Sequence, residues 1–308
     1  MTLQAVPYIL LVGFLFGSTL IASRFSVGQF HPFTYLALRA ALASLGYGVV
    51  YVVNRRRRAW PTDPRLWRRA TLLGILGTAL PMACFLYALQ YLSSGMAAIL
   101  LTTGPAMTIL MAHFFLDDET LTPRKGLGIG LALSGALLMA VRGESGLADV
   151  GQNSLVGYGL MLVALVFGSG MTVYARKCMK QFDAFDVASI RMLVTAVVMM
   201  LFVVPFVGLD LRSVNTQGYL AFVYAALVGN LAGMYLTFYN LKRFGVTTAS
   251  MTDYVIPVVA GFGGVLILNE QITIGMLIGT GLIVLGIALI NWRKRAAGRD
   301  KNKSVQRL

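Results

Sequence analysis

Long apolar runs alternate along this chain with short polar breaks. Ten runs are long enough to cross a bilayer core, which takes about 20 helical residues. They lie at roughly 4–23, 34–53, 70–91, 94–115, 125–141, 155–175, 187–208, 218–241, 246–268 and 272–292. In lipid every backbone polar group must be satisfied within the segment, so runs of this length predict helices. The two longest breaks are "NRRRRAWPTDPRLWRR" (Asn54 to Arg69) and the stretch from Arg293 onward. The first run has no basic region ahead of it and reads as a helix, not a cleavable leader. The expected fold class is an all-α membrane protein of ten transmembrane helices.

The runs repeat. At an offset of 152, Arg39 meets Arg191, Tyr87 meets Tyr239, Ala97 meets Ala249 and Pro105 meets Pro257. At 151, "FGS" at Phe16–Ser18 meets "FGS" at Phe167–Ser169. The same offset aligns Glu119 with Glu270, Gly128 with Gly279 and Gly135 with Gly286. Each half therefore contains E-x8-G-x6-G, with a proline 13 or 14 residues before the glutamate. This divides the chain into one five-helix unit at 1–142, a second at 154–292, and a basic tail at 293–308. Five is odd, so the second unit enters the membrane from the opposite side and the repeat is inverted. Inverted halves that exchange conformations are a device for alternating access to a midplane site.

Composition agrees with a membrane protein. Hydrophobic residues make up 57%, charged residues 12%, and the mean hydropathy is +0.74; a soluble domain carries about 25% charged residues. The net charge is +14, but its placement excludes a nucleic-acid-binding face. Seven of the basic residues fall in Asn54–Arg69, seven in the tail and seven in three shorter breaks on the same predicted side. Only Arg24, Arg142 and Arg212 fall on the other side. This bias predicts cytoplasmic termini and an attraction to anionic membrane lipids. The two cysteines have neither metal spacing nor a disulfide pattern. No metal or cofactor is expected, and the number of chains in the assembly stays open between monomer and homodimer.

The ten runs, the paired five-helix units and the recurring P-x12/13-E-x8-G-x6-G resemble the drug/metabolite transporter superfamily, specifically its EamA-type members. "LKRFGVTTASMTDYVIPVVAGFGGVLILNEQIT" (Leu241 to Thr273) carries the resemblance most clearly. It implies a secondary transporter of the inner membrane, often for amino acids or related compounds. It also implies a central cavity lined by spans 1, 3, 4, 6, 8 and 9. No P-loop is present. "GLGIGLALSG" lies within a span with no preceding strand, so its glycines read as close helix packing.

Asp253 is the one carboxylate well inside a predicted span, one turn before Pro257. An intramembrane acid is a functional candidate by default, here for proton coupling or for an amine. The alternative is an acid satisfied by a hydroxyl or by Lys242 or Arg243. Asn230 and its counterpart Thr78, with Met234 and Met82 one turn on, offer polar groups and adaptable apolar surface at mid-span. Ser18 and Ser169 either pack helices or line a cavity. Thr102 either does the same or bonds back to its own helix. Pro105 and Pro257 free a backbone carbonyl that protein or water must satisfy, which places them toward the interior. They serve either as packing kinks or beside the substrate path, with Tyr254 near the second. Arg39 and Arg191 lie a turn or two inside opposite faces. They either snorkel to the interface or act as a gate pair, Arg191 having Asp183 and Asp186 close in sequence. Glu119 and Glu270 read as ties between span ends, and Thr122 before Pro123 as a helix cap.

The expected function is secondary export of a small amphiphilic metabolite, amino acids first, by alternating access. A facilitative exchanger or uniporter without proton coupling, and a non-transporting scaffold or assembly subunit, are the alternatives. A membrane-embedded enzyme would need clustered His, Asp, Ser or Cys on neighbouring spans, and the sequence has no such cluster.

Overall fold

Helix starts are set by prolines and short polar side chains. Asp63 accepts from the Arg65 amide, Ser93 from Met96, Thr122 from Lys125, Asp183 from Phe185, and Asn215 from Gly218. Such a cap is worth about 1 kcal/mol. Prolines occupy the first turns of the helices that begin at Val6, Pro32, Pro64 and Pro123, where a missing N–H costs nothing.

The computed structural model describes residues 3–55, 59–116, 121–147, 154–179, 181–209, 211–212, 214–233, 236, 240, 243–244 and 252–305. Among these the chain is helical throughout, with no strand. We label α1 Val6–Val27, α2 Pro32–Val53, α3 Pro64–Ala88, α4 Ser94–Phe115, α5 Pro123–Val141, α6 Ser154–Cys178 and α7 Ala184–Phe206. These seven are long and apolar enough to cross a membrane. The label α8 covers Thr216–Tyr224 and its π-helical continuation Ala225–Gly233. α9 is Thr252–Leu268 and α10 is Ile274–Val305.

Boundaries move where a cap lies outside the apolar run. α3 starts at Pro64, not near residue 70, because Asp63 caps a polar first turn. α7 starts at Ala184 under the Asp183 cap, not at residue 187. α10 runs from Ile274 into the basic segment as far as Val305.

Lipid-facing and buried stripes separate cleanly. On α2, Leu45, Val49, Val52 and Val53 recur at helical spacing and are 60–74% exposed. A soluble protein rarely shows such a stripe. The main core runs through Tyr35, Leu86, Leu89, Met96, Met161 and Ile283, from six different helices or their connecting loops.

The larger helix pairings map onto one another when the two halves are exchanged. α2 packs on α7, α4 on α9, and α5 on α10. α1 on α9 has its counterpart in α6 on α4, and α3 on α6 in α8 on α1. α3 on α7 has its counterpart in α8 on α2. The repeated glycines make the α5–α10 seam. A Cβ on Gly128 would stand 2.6 Å from the Gly286 carbonyl oxygen, and one on Gly135 2.6 Å from that of Gly279. As one partner rises from 128 to 135 the other falls from 286 to 279, so the two helices run antiparallel. Backbones this close leave no room for a side chain, which is the small-residue mode of helix association in lipid.

Candidate functional site

Pro81 has no N–H, so the carbonyl of Gly77, four residues earlier, loses its helical partner. There α3 opens into a π-helical turn over Ile75–Ala79. Arg191 of α7 takes up the loose groups. Its Nη2 donates to Gly77 O at 3.4 Å and to Thr78 Oγ1 at 2.9 Å, and its Nε donates to Thr78 Oγ1 at 3.1 Å. Thr195, one turn on, donates to Gly74 O at 3.2 Å. The structure thus joins Thr78 and Arg191 across two helices. The acids near Arg191 in sequence are occupied elsewhere. Asp183 caps its own helix, and Asp186 accepts from Tyr51 OH at 2.7 Å.

The second half has its π-helical stretch at the equivalent place, Ala225–Gly233 in α8. Asn230 lies within it; its side chain and Met234 lie outside the described residues. Arg39, the counterpart of Arg191, is 6% exposed and does not snorkel. Its Nη1 donates to Ser23 Oγ at 3.1 Å, Ser23 pairs with Tyr35 OH at 3.1 Å, and the guanidinium stands 6.0 Å from the Tyr35 ring centre. A hydroxyl pair and an aromatic face hold it inside the bundle, so it has no need to reach the interface.

The remaining predicted residues fall on different elements. Ser18 bonds back to Phe14 O at 2.6 Å and meets Tyr224 OH at 2.8 Å, tying α1 to α8. Ser169 is buried and donates to Gly104 O at 3.4 Å, tying α6 to the break in α4. Thr102 bonds back to Ile99 O at 2.6 Å. With Thr103 it interrupts α4, so Pro105 lies in the first turn of the second segment, Gly104–Phe115, instead of kinking one continuous helix. Pro105 is exposed, and Met82 is half-buried against the main core.

Asp253 opens α9, with Pro257 four residues on inside the same helix. Asp253, Pro257, Ala260 and Gly264 share one stripe at helical spacing. Ala260 and Gly264 are buried beside the start of α4, where Ser94 Oγ lies 3.3 Å from Ala260 O. Asp253 on the same stripe is exposed, and Tyr254 beside it is 37% exposed. Arg243, one of the two bases weighed as a partner for Asp253, lies 5.7 Å from the Tyr8 ring centre. Lys242 lies outside the described residues.

Sequence reasoning anticipated that Glu270 ties span ends, but not where. Its carboxylate caps a helix of the other half. Ser94 N donates to Oε1 at 2.7 Å, Ser94 Oγ to Oε2 at 2.7 Å, and Gly95 N to Oε2 at 3.4 Å. The side chain is 6% exposed. Neighbouring loops close around it: Ser93 N donates to Ser145 O, and Gln271 N to Gly146 O, each at 2.8 Å. Glu119, its counterpart, lies outside the described residues. Among the described residues no group of His, Cys, Asp and Glu is placed to hold a metal.

Comparison with known proteins agrees with this geometry. The EamA-like transporter family matches twice, at residues 3–141 and 155–292. A protein of Archaeoglobus fulgidus named as an uncharacterized transporter is 24% identical, covering 89% of this chain and 94% of that one. The uncharacterized transporter YoaV of Bacillus subtilis is 24% identical, covering 91% and 94%. A chloroplastic WAT1-related protein of Arabidopsis thaliana is 23% identical over 91% of this chain and 67% of its own. A crystal structure at 22% identity covers 94% of this chain and 97% of that one with a TM-score of 0.62, which speaks to the fold. Two matches of one family, each covering one half of the sequence, leave a single assignment: the chain belongs to the EamA-like transporter family.

Proposed function

We propose that the protein is a secondary transporter in which two inverted five-helix halves alternate access to a midplane cavity. The observation that carries this is that the larger helix pairings map onto one another under exchange of halves. A bundle whose contacts survive that exchange has a second, related conformation available at little cost, as alternating access requires. Ten alternating crossings also account for the antiparallel α5–α10 seam. They account equally for the parallel α1 and α9, where Gly13 faces Val255 and Gly17 faces Val259.

On this reading both termini are cytoplasmic, in a prokaryotic inner membrane. The Glu270 end is then the outer face, where the loops are tied together. Asp253 lies toward the inner face. Its stripe on α9 is buried at the outer end and exposed at the inner end, as in a conformation open to the cytoplasm. The cargo is a small amphiphilic metabolite, amino acids first, moved outward. Asp253 serves as the proton or amine site, with Thr78, Asn230, Thr102, Met82 and Met234 nearer the midplane. Arg191, bonded to the π-helical turn of α3, and Arg39, held by Ser23 and Tyr35, are the gate pair.

Proteoliposomes loaded with a pH-sensitive dye and given a panel of amino acids, amines and organic acids test this. Tracer flux is followed at the same time. Expected is a compound whose movement carries protons in the wild type and not in Asp253→Asn. Tracer movement with no proton signal and a normal Asp253→Asn leaves a carrier but removes the proton-coupled mechanism. No flux of any compound removes the transport reading for this panel.

A further inference from the structure

At the last turn of α1, Arg24 enters a pocket of about 280 Å³ between the two halves. Phe25, Gln29, Leu147, Leu268 and Glu270 line it with Arg24. Three facts set its chemistry. The Arg24 Nε is shielded from solvent and has no hydrogen-bond partner, a state that costs free energy until a partner arrives. Glu270 attracts Arg24 electrostatically, yet its two oxygens already accept three hydrogen bonds from the start of α4, and no hydrogen bond joins the two side chains. Phe25, Leu147 and Leu268 make the remaining wall largely apolar.

We propose that this pocket is a binding site for a small zwitterion with an apolar side chain, whose carboxylate pairs with Arg24. A guanidinium offers a planar fork of donors that matches a carboxylate bidentately. A bare anion meets the opposing charge of Glu270, and a bare cation meets Arg24. A ligand carrying both charges satisfies the pair, and its side chain meets the apolar wall. This rests on the reading that the cargo is an amino acid or a relative, and it adds a site at the outer mouth, on the exit side of an exporter, distinct from the Asp253 region. The same residue types recur in the other half: an offset of 152 carries Arg24, Gln29 and Phe30 onto Arg176, Gln181 and Phe182, and 151 carries Glu270 onto Glu119.

The test uses the full chain in nanodiscs with a reporter, Phe25→Trp, titrated with leucine, leucinamide and 4-methylpentanoate. Expected is a fluorescence change with leucine, at least tenfold weaker binding of the other two, and at least tenfold weaker leucine binding after Arg24→Gln. Arg24→Lys, which keeps charge without the fork, falls between. Equal binding of leucine and leucinamide in the wild-type background overturns the site without need of any Arg24 variant. So does leucine binding that Arg24→Gln leaves unchanged, or no response to any of the three. Tracer flux separates the two readings. Leucine crossing with the same KM in wild type and Arg24→Gln supports transport and overturns the site. Leucine titrating the reporter without crossing supports the site and overturns the amino-acid cargo.

Discussion

A double-mutant cycle between Glu270 and Ser94 measures what the cross-half cap is worth. The perturbations are Glu270→Gln, Ser94→Ala and both together. The Ser94 hydroxyl donates to a buried carboxylate oxygen at 2.7 Å. Hydrogen bonds to charged groups are worth about 1.5–3 kcal/mol in soluble proteins. Interhelical bonds in a membrane average about 0.6 kcal/mol, with a maximum of about 1.7, because the unfolded chain in lipid finds other partners. This bond lies at a helix end, and its acceptor has no equivalent once the halves separate. A coupling of about 1.5 kcal/mol therefore follows. Glu270→Gln alone also removes a negative charge from the start of α4, which adds up to about 2 kcal/mol in a partly buried site. Its total cost is about 2–3 kcal/mol. Ser94→Ala alone costs about 1.5 kcal/mol, since its contact with Ala260 O is long at 3.3 Å. The assay is reversible unfolding in mixed micelles at increasing SDS, followed by tryptophan fluorescence. Additivity of the two changes within about 0.5 kcal/mol, the behaviour of independent sites, would refute the reasoning.

Three further outcomes follow from the same geometry. Gly286→Ala destabilises by about 1–3 kcal/mol, the usual cost of overpacking, because a Cβ there would stand 2.7 Å from the Ala132 amide nitrogen; Gly281→Ala, in open space, stays within about 0.5 kcal/mol in the same titration. Arg191→Gln leaves Gly77 O short of a donor and lowers stability by about 1–3 kcal/mol, and Pro81→Ala in that background restores part of it by returning an N–H to the helix; an additive loss counts against Pro81 as the origin of the π turn. Asp253→Asn leaves the unfolding midpoint close to wild type because the exposed carboxylate holds no described partner, so a large stability loss would make it a structural acid.

The hydrophobic pattern located most helices, since each must bring about 20 apolar residues into lipid whatever its neighbours. It could not place starts governed by caps such as Asp63 and Asp183, because a polar first turn outside the apolar run leaves no hydropathy signal. The repeat made the α5–α10 seam legible as G-x6-G, but not that each glycine would meet the non-equivalent glycine of the other half. The π turn in α3 has a signal in Pro81, which the repeat does not single out because it has no counterpart: an offset of 152 lands on Gly233. The acids nearest Arg191 in sequence are Asp183 and Asp186, whereas its partners are 113 and 114 residues away. Glu270 shows the same limit. Its type and place at a span end marked it as a tie, but which helix it capped depended on how the halves met.

Symmetry also sorts which residues can carry direction. In an inverted repeat, a contact between equivalent positions, such as α2 on α7, serves both conformations alike and cannot favour one. The Arg191 contact to Gly77 differs, because Pro81 frees that carbonyl in one half only. Asp253 differs too, since its counterpart is Leu101, itself 37% exposed. On the proposed mechanism a proton or an amine at Asp253 would act on one half and tilt the balance between the two conformations, whereas the same charge at a duplicated position would cancel. To move such a pair from 1:99 to 99:1 a ligand must bind one conformation about 10⁴-fold more tightly. A single buried charge pair is of that order only where water is excluded, so the proposed mechanism requires Asp253, exposed here, to become enclosed in a second conformation. Accessibility of Tyr254→Cys, exposed beside an intact Asp253, to a membrane-impermeant thiol reagent, measured with and without a proton gradient on a background lacking Cys84 and Cys178, reads that enclosure. Labelling that falls severalfold when the gradient is imposed agrees with it. Labelling indifferent to the gradient would mean that the position stays open in both conformations and that coupling must arise elsewhere.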